Sequence, residues 1–196
     1  MISLGSDNHS GVHPQILQAL NSQNQGHAPS YGTDPTTKKA KTLFKEIFGE
    51  QAQAYFVFNG TAANVVALKS LVQSHESIIC AEDSHLNIDE CGAAENQIGC
   101  KLIKIPSPDG KIKPQDILKQ LIRKGDQHYS QVKAVSITQP TELGTMYSIN
   151  ELDEIKSICK DNDLYLHIDG ARFIYAPYVL KQSFKELCQD LSLIHI

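Results

Sequence analysis

The sequence lacks a long apolar run, a basic stripe and any closely paired cysteines. Without an apolar run of about 18 residues, we expect no membrane-spanning helix. Acidic residues outnumber basic ones, 22 against 18, so nucleic acid is not an expected partner. The first ten residues, MISLGSDNHS, have no basic region ahead of an apolar stretch, so we expect no signal peptide. These absences favour an ordinary globular protein.

The cysteines are odd in number, five, and scattered, with no C-x-x-C pair. This usage predicts reduced thiols in a cytoplasmic protein rather than disulfides or a zinc site, and we expect no metal. Cys80 lies in an apolar strand pattern and Cys159 on an apolar helix face, so both are predicted to be small core residues.

Short apolar stretches alternate with helical patterns along most of the chain. The predicted strands are AYFVF (54–58), SIICAE (77–82), CKLIKIP (100–106), KAVSIT (133–138) and LYLHID (164–169). The predicted helices are 13–22, 36–49, 61–73, 85–96, 114–125 and 150–163, with Gly49 ending the second and Asn150 capping the last. This alternation predicts an α/β fold with a mostly parallel sheet and helices on both faces.

In such a sheet, ligands collect at the carboxyl ends of the strands, and polar residues follow several of the predicted strands. FNGTAAN (58–64) turns from a strand into a helix, with Gly60 allowing close approach and Thr61 placed as the N-cap. The free N–H groups of a helix N-terminus suit an anion, best a phosphate, although a plain capped helix has the same pattern.

Two further strands are followed by residues that carry chemistry. His85 follows SIICAE, and its imidazole could stack on a flat ring, act as a base or simply face solvent. Asp169 ends LYLHID, and Arg172 comes within one turn of it. A buried aspartate is costly unless a cationic group meets it, and a protonated aromatic nitrogen would do so. Arg172 could then bind a carboxylate or a phenolate oxygen.

One ligand needs all of these features: pyridoxal phosphate (PLP), which has a phosphate, a flat ring and a pyridine nitrogen that is kept protonated by an acid. There is no G-x-G-x-x-G and no G-x-x-x-x-G-K-[ST], which disfavours a dinucleotide or a nucleoside triphosphate. A plain phosphate-binding α/β domain remains an alternative.

The motifs SDN (6–8), YGTDPT (31–36), FNGTAAN, SHLNIDECGA (84–93) and HIDGAR (167–172) occur in this order. On these motifs the chain resembles the threonine aldolase / aromatic amino acid β-eliminating lyase family, which are fold type I PLP enzymes. The resemblance runs from about residue 2 to about residue 180. It implies an incomplete large domain of the PLP-dependent transferase type.

The resemblance also implies roles for residues of this chain. Gly60 and Thr61 would hold the cofactor phosphate. His85 would stack on the ring and could assist proton transfer, and Asp169 would pair with the ring nitrogen. Arg172 would lie near the ring oxygen and the substrate carboxylate. The remaining substrate-binding residues would be Ser6 and, at a site of the dimer, Tyr31.

The implied reaction is cleavage of the Cα–Cβ bond of a threonine-type β-hydroxy amino acid, giving glycine and an aldehyde. The implied partners are that amino acid and further copies of the chain, in a homodimer or homotetramer. Two alternatives remain open: a PLP-dependent β-eliminating lyase, and a non-catalytic remnant of the fold that acts through dimerisation. The sequence does not choose the exact substrate, its stereochemistry or the base that takes the β-hydroxyl proton.

Two departures from the family pattern affect these expectations. SITQPTELG (136–144) has no histidine where the family often has its second one, which leaves His85 or a water as the base. The family lysine that forms the Schiff base follows a later strand, whereas only Lys181 and Lys185 follow Arg172 here, in a segment that predicts solvated lysines. We therefore expect the 196-residue chain alone to be inactive and the full-length protein to be the enzyme.

The predicted domain organisation is an N-terminal arm (1–30), a partial PLP-binding domain (31–190) and a foreign tail (191–196), with the family's C-terminal small domain missing.

Overall fold

The computed structural model describes Ser3, Gly5, residues 9–189 and residues 191–195, the side chain of His195 excepted. The chain divides into two compact units, Met1–Leu43 and Phe44–Ile196. The arm, partial domain and foreign tail predicted from the sequence stay predictions.

The first unit holds the helix α1 (Pro14–Gln23) and most of α2 (Pro35–Phe48), which runs on into the second unit. Pro14 stands at the first turn of α1, where its missing N–H costs nothing, and the His13 side chain accepts from the N–H of Gln15. Gly49 follows α2 with a φ of 109°, so the predicted glycine stop is confirmed.

The second unit is built on a five-stranded parallel sheet in the order β2-β1-β3-β4-β5. The strands are β1 (Glu76–Ala81), β2 (Lys101–Ile105), β3 (Gln131–Thr138), β4 (Tyr165–Asp169) and β5 (Leu193–His195). After β2 the order continues on the other side of β1, which makes the gap between β1 and β3 a topological switch point.

Helices connect the strands. They are α3 (Gly60–Leu71), α4 (His85–Ile88), α5 (Ala93–Ile98), α6 (Pro114–Gln120), α7 (Ile149–Asp161), α8 (Ala176–Leu180) and α9 (Phe184–Leu187), with a 3-10 helix at Phe173–Tyr175. None of the helices in the described ranges has the length and hydrophobicity needed to cross a membrane.

The sheet is covered on both faces, as predicted. On one face, Ile79 and Ala81 of β1 pack with buried residues of α6 and α7. On the other, Ile78 and Cys80 pack with buried residues of α3 and α5. Full burial of a leucine or isoleucine side chain contributes about 1.5–3 kcal/mol each, so these two layers hold the strand ends in place. The predicted α/β fold with a parallel sheet is confirmed.

Three expectations about local structure are wrong. The single helix predicted at 85–96 is interrupted between α4 and α5, where Cys91 and Gly92 have a positive φ. The stretch 54–58 is not a strand: Tyr55, Phe56 and Phe58 are exposed, and none of the described strands pairs with it. An apolar run becomes a strand only when a neighbour takes its backbone hydrogen bonds. Helix α7 is capped by Ser148 and not by Asn150, because Ser148 and Glu151 form a reciprocal capping box.

Candidate active site

His85 and Asp169, which were singled out in the sequence, meet at one edge of the sheet together with Glu142. β1, β3 and β4 are parallel neighbours, so their carboxyl ends lie side by side at the switch point. His85 follows β1, Glu142 follows β3 and Asp169 ends β4. One side-chain atom each of His85, Glu90 and Asp169 lies within 4.8 Å of the others.

Asp169 is a buried acid that is held by hydrogen bonds. It is 4% exposed. Its Oδ1 accepts from the backbone N–H of Ala171 over 3.1 Å, and its Oδ2 accepts from Asn64 Nδ2 over 3.1 Å. Hydrogen bonds to an ionised carboxylate favour the charged form and offset the cost of burial. The two bonds fix the orientation of the Asp169 carboxyl group at the end of β4.

His85 opens α4 beside this acid. Its Nδ1 lies 2.9 Å from Glu90 Oε1, and its side chain is 43% exposed. Its backbone N–H donates to Glu142 Oε1 over 3.0 Å. The imidazole is thus fixed at one ring nitrogen, and much of it is open to a ligand.

Arg172 is oriented from the loop after β3. Its Nη2 donates to the backbone carbonyl of Pro140 over 3.1 Å and lies 3.7 Å from Glu142 Oε1. The side chain is 37% exposed. Because a guanidinium has five donors, these contacts leave others to bind a carboxylate.

The N-terminus of α3 is the predicted anion site, and one detail of the prediction is wrong. The helix begins at Gly60, and its N-cap is Asn59, whose Oδ1 accepts from the N–H of Ala62 over 2.8 Å. Thr61, predicted as the cap, lies one residue inside the helix. The first-turn N–H groups of Gly60 and Thr61 have no acceptor within the helix and can bind an anion together with the Thr61 hydroxyl.

The other two predicted substrate-binding residues are not in the described part of the second unit. Tyr31 belongs to the first unit, where it is exposed and has a φ of 62°. Ser6 lies outside the described residues. Lys181 and Lys185 are both exposed, as the amphipathic pattern predicted.

Sequence reasoning missed two residues of the cluster, Asn64 and Glu90. Asn64 Nδ2 donates to Glu90 Oε1 over 2.7 Å as well as to Asp169, so it links the two acids. The Glu90 side chain is fully buried. Asn64 could have been found from its position one turn after Gly60, which places it on the buried face of α3. No local pattern marked Glu90, because Ile88, Asp89 and Cys91 around it are all exposed.

Comparisons with known proteins identify the family of this chain. The model of the beta-eliminating lyase family matches residues 3–194. The chain belongs to the beta-eliminating lyase family.

Members of this family with high similarity are low specificity L-threonine aldolases. The chain is 44% identical over 169 residues to that of Pseudomonas sp. (strain NCIMB 10558), covering 86% of this chain and 49% of the relative. It is 42% identical over 183 residues to the enzyme of Pseudomonas aeruginosa, and the match covers 93% of this chain and 53% of that relative. A solved structure of Leishmania major threonine aldolase matches with a TM-score of 0.90 at 32% identity. The match covers 95% of this chain and 55% of that structure's chain. The chain thus spans about half the length of the curated relatives it matches.

Proposed function

We propose that the full-length gene product is a PLP-dependent lyase that cleaves a threonine-type β-hydroxy amino acid into glycine and an aldehyde. Identities of 44% and 42% to low specificity L-threonine aldolases support this activity. The observation that carries the proposal is the buried Asp169, a hydrogen-bonded acid close to His85 at the carboxyl ends of the parallel strands.

The residues present fit PLP in the chemistry of their donors. An exposed helix N-terminus suits the phosphate, a buried carboxylate suits the ring nitrogen, and a half-exposed imidazole suits the ring face. Asn64 fixes the spacing between the first turn of α3 and the end of β4, where two of these three features lie.

The proposed roles follow from these positions. Gly60 and Thr61 bind the phosphate, His85 lies against the ring, and Asp169 pairs with the ring nitrogen. Arg172 binds the substrate carboxylate, which Ser6 also approaches, and Tyr31 is a substrate-binding residue at a site of the dimer. When bound, PLP supplies the electron sink for the bond that breaks.

The chain itself supplies orientation and a base. Arg172 is pre-positioned by Pro140 and Glu142, so little side-chain entropy is lost when it binds a carboxylate. Because Nδ1 of His85 is engaged by Glu90, its Nε2 is the atom that can take a proton from the β-hydroxyl group, directly or through a water.

Product analysis tests the activity. The full-length gene product with PLP and L-threonine is expected to give equal amounts of glycine and acetaldehyde. His85→Asn is expected to lower kcat by about 10²–10⁴-fold, the usual contribution of a general base. His128→Asn, at an exposed histidine far along the chain, serves as the matched control. Absence of both products in the wild type would contradict the proposal.

A second reaction has some support, because the family model is that of the beta-eliminating lyases. β-Elimination would release ammonia and a 2-oxo acid from L-serine or L-threonine. The same assay separates the two reactions, since ammonia in place of glycine would assign the elimination.

We further propose that the protein is cytoplasmic and assembles as a homodimer or homotetramer. The reduced, mostly buried cysteines support the first statement, and the similarity to threonine aldolases supports the second. The molar mass of the full-length gene product by light scattering tests the assembly, and a monomeric mass would contradict it.

A further inference from the structure

We infer that Glu90 is a positioning residue that keeps the proton of His85 on Nδ1 and thereby presents Nε2 as the base. This inference deepens the proposed function and rests on it. It assigns to a buried glutamate a role in setting the tautomer of the histidine that faces the ligand.

The donor and acceptor pattern around Glu90 supports this direction. Glu90 Oε1 receives Asn64 Nδ2 at 2.7 Å and lies 2.9 Å from His85 Nδ1. Asn64 lies between two acids, so its NH₂ group and not its carbonyl must face both. Oε1 of Glu90 already accepts from Asn64, and as an acceptor it needs a proton on the His85 nitrogen that faces it.

The placement of Glu90 is costly, which argues against a passive role. Its side chain is fully buried, and its Oε2 has no hydrogen-bond partner among the described residues. A buried oxygen without a partner carries a desolvation cost that the rest of the fold must offset. Directly after it, Cys91 and Gly92 both have a positive φ, 51° and 68°, and the cysteine is strained there. The chain therefore tolerates local strain and an unpaired oxygen to aim one carboxylate at His85.

Asn64 extends the arrangement to the second acid. Because the same NH₂ group donates to Glu90 and to Asp169, a shift of Glu90 would also disturb the acid at the end of β4. The Glu90 carboxylate thus contacts both a predicted catalytic residue and the residue that holds the other acid.

The test begins with the tautomer of His85 in the full-length gene product. ¹⁵N-histidine NMR spectra at a pH of about 8.5, where an ordinary imidazole is neutral, report which nitrogen carries the proton. His85→Asn identifies the His85 signals by their loss. We expect the Nδ1–H tautomer, and an Nε2–H tautomer in the wild type would overturn the inference without any further variant.

Two substitutions of Glu90 separate the hydrogen bond from simple stability. Glu90→Gln keeps an acceptor of the same shape, so we expect it to keep the Nδ1–H tautomer and most of the kcat. Glu90→Ala removes the acceptor, so we expect the Nε2–H tautomer to appear and kcat to fall by about 10- to 100-fold, with a smaller change in KM. Glu82→Gln, at an exposed glutamate on the same loop, is the control and should match the wild type.

The outcomes also distinguish the inference from the proposed function. A wild type that shows no threonine cleavage contradicts the function, while its His85 spectra still decide on Glu90. A wild type that cleaves threonine, together with a folded Glu90→Ala variant of unchanged tautomer and kcat, overturns the inference and leaves the function standing. If Glu90→Ala fails to fold, the spectra of the wild type and of Glu90→Gln decide on the role of Glu90. A Glu90→Gln variant that loses the Nδ1–H tautomer but keeps the wild-type kcat would overturn the inference.

Discussion

The side-chain amide of Asn64 donates to Oδ2 of Asp169 over 3.1 Å, although the two residues are 105 positions apart in the chain. This bond ties the first turns of α3 to the end of β4. It also puts an amide donor between Asp169 and the buried Glu90, since Nδ2 contacts both acids. The geometry of the candidate site therefore depends on a residue that contacts no ligand in the proposed mechanism.

Removing that donor is expected to destabilise the protein. Asn64→Ala leaves two buried acids without the donor they share, which costs about 2 kcal/mol in the free energy of unfolding. Asn87→Ala removes an exposed hydrogen bond to the Glu82 carbonyl and should change this free energy by less than about 0.5 kcal/mol. Urea unfolding of the full-length gene product measures both variants. Equal stability of Asn64→Ala and wild type would show that the donor between the acids is not needed.

Arg172→Lys is expected to weaken substrate binding more than it slows turnover. An ammonium lacks the planar fork that binds a carboxylate with two hydrogen bonds, so KM for L-threonine should rise by about tenfold. Arg123→Lys changes a surface arginine that pairs with Asp126 and provides the control. Steady-state kinetics give both constants, and an unchanged KM in Arg172→Lys would remove Arg172 from the substrate site.

The free energy of unfolding is expected to fall at acid pH because Glu151 becomes protonated. The hydrogen bond from Lys111 and then that from the Ser148 backbone lower the pKa of Glu151 from 4.5 to about 2. A depressed carboxyl pKa contributes stability that is complete above about 4.5 and is lost as the pH falls towards about 2. Because the Lys111–Glu151 pair is partly exposed, we expect it to contribute only about 1 kcal/mol to the free energy of unfolding.

The matching experiment compares wild type with Glu151→Gln by urea unfolding at several pH values. The variant should be less stable at pH 6, and the difference should shrink as the pH falls below about 4.5. Glu154→Gln, an exposed change on the same helix, is the control. A difference that stays constant with pH would contradict the role given to this ion pair.

The thiols are expected to react at very different rates. Burial raises the pKa of Cys80 and Cys100 to about 11 and that of Cys159 to about 12, so these thiols stay protonated and shielded. Cys91 is exposed. Burial also raises the pKa of the half-buried Cys188 to about 11. Among the five cysteines of this sequence, Cys91 is therefore expected to react fastest with a thiol reagent in native buffer, and Cys91→Ser should abolish this fast labelling. Fast labelling of Cys80 or Cys159 in folded protein would contradict the packing of both faces of the sheet.

Much of the fold could be predicted from the sequence, because continuous apolar strands between helical patterns leave few architectures. The same reasoning located His85, Asp169 and Arg172, since carboxyl ends of parallel strands meet at one edge. It could not pair Asn64 with Glu90, because that contact depends on how α3 packs on the sheet. Asn59 and Thr61 are both good capping residues and lie close together in the chain. Which of them caps α3 depends on the residue at which the backbone becomes helical.

The central claim is that Asp169 is the acid of a PLP site, and its most direct test is a titration of the full-length gene product with PLP, followed by visible absorbance. Asp169→Asn keeps the shape of the side chain but removes its charge, and Asp161→Asn changes an exposed aspartate as the control. A hydrogen bond to a charged group contributes about 1.5–3 kcal/mol. We therefore expect Kd to rise by about 10- to 100-fold in Asp169→Asn only. A wild type that does not bind PLP, or an Asp169→Asn variant that binds it as tightly as the wild type, would contradict the account.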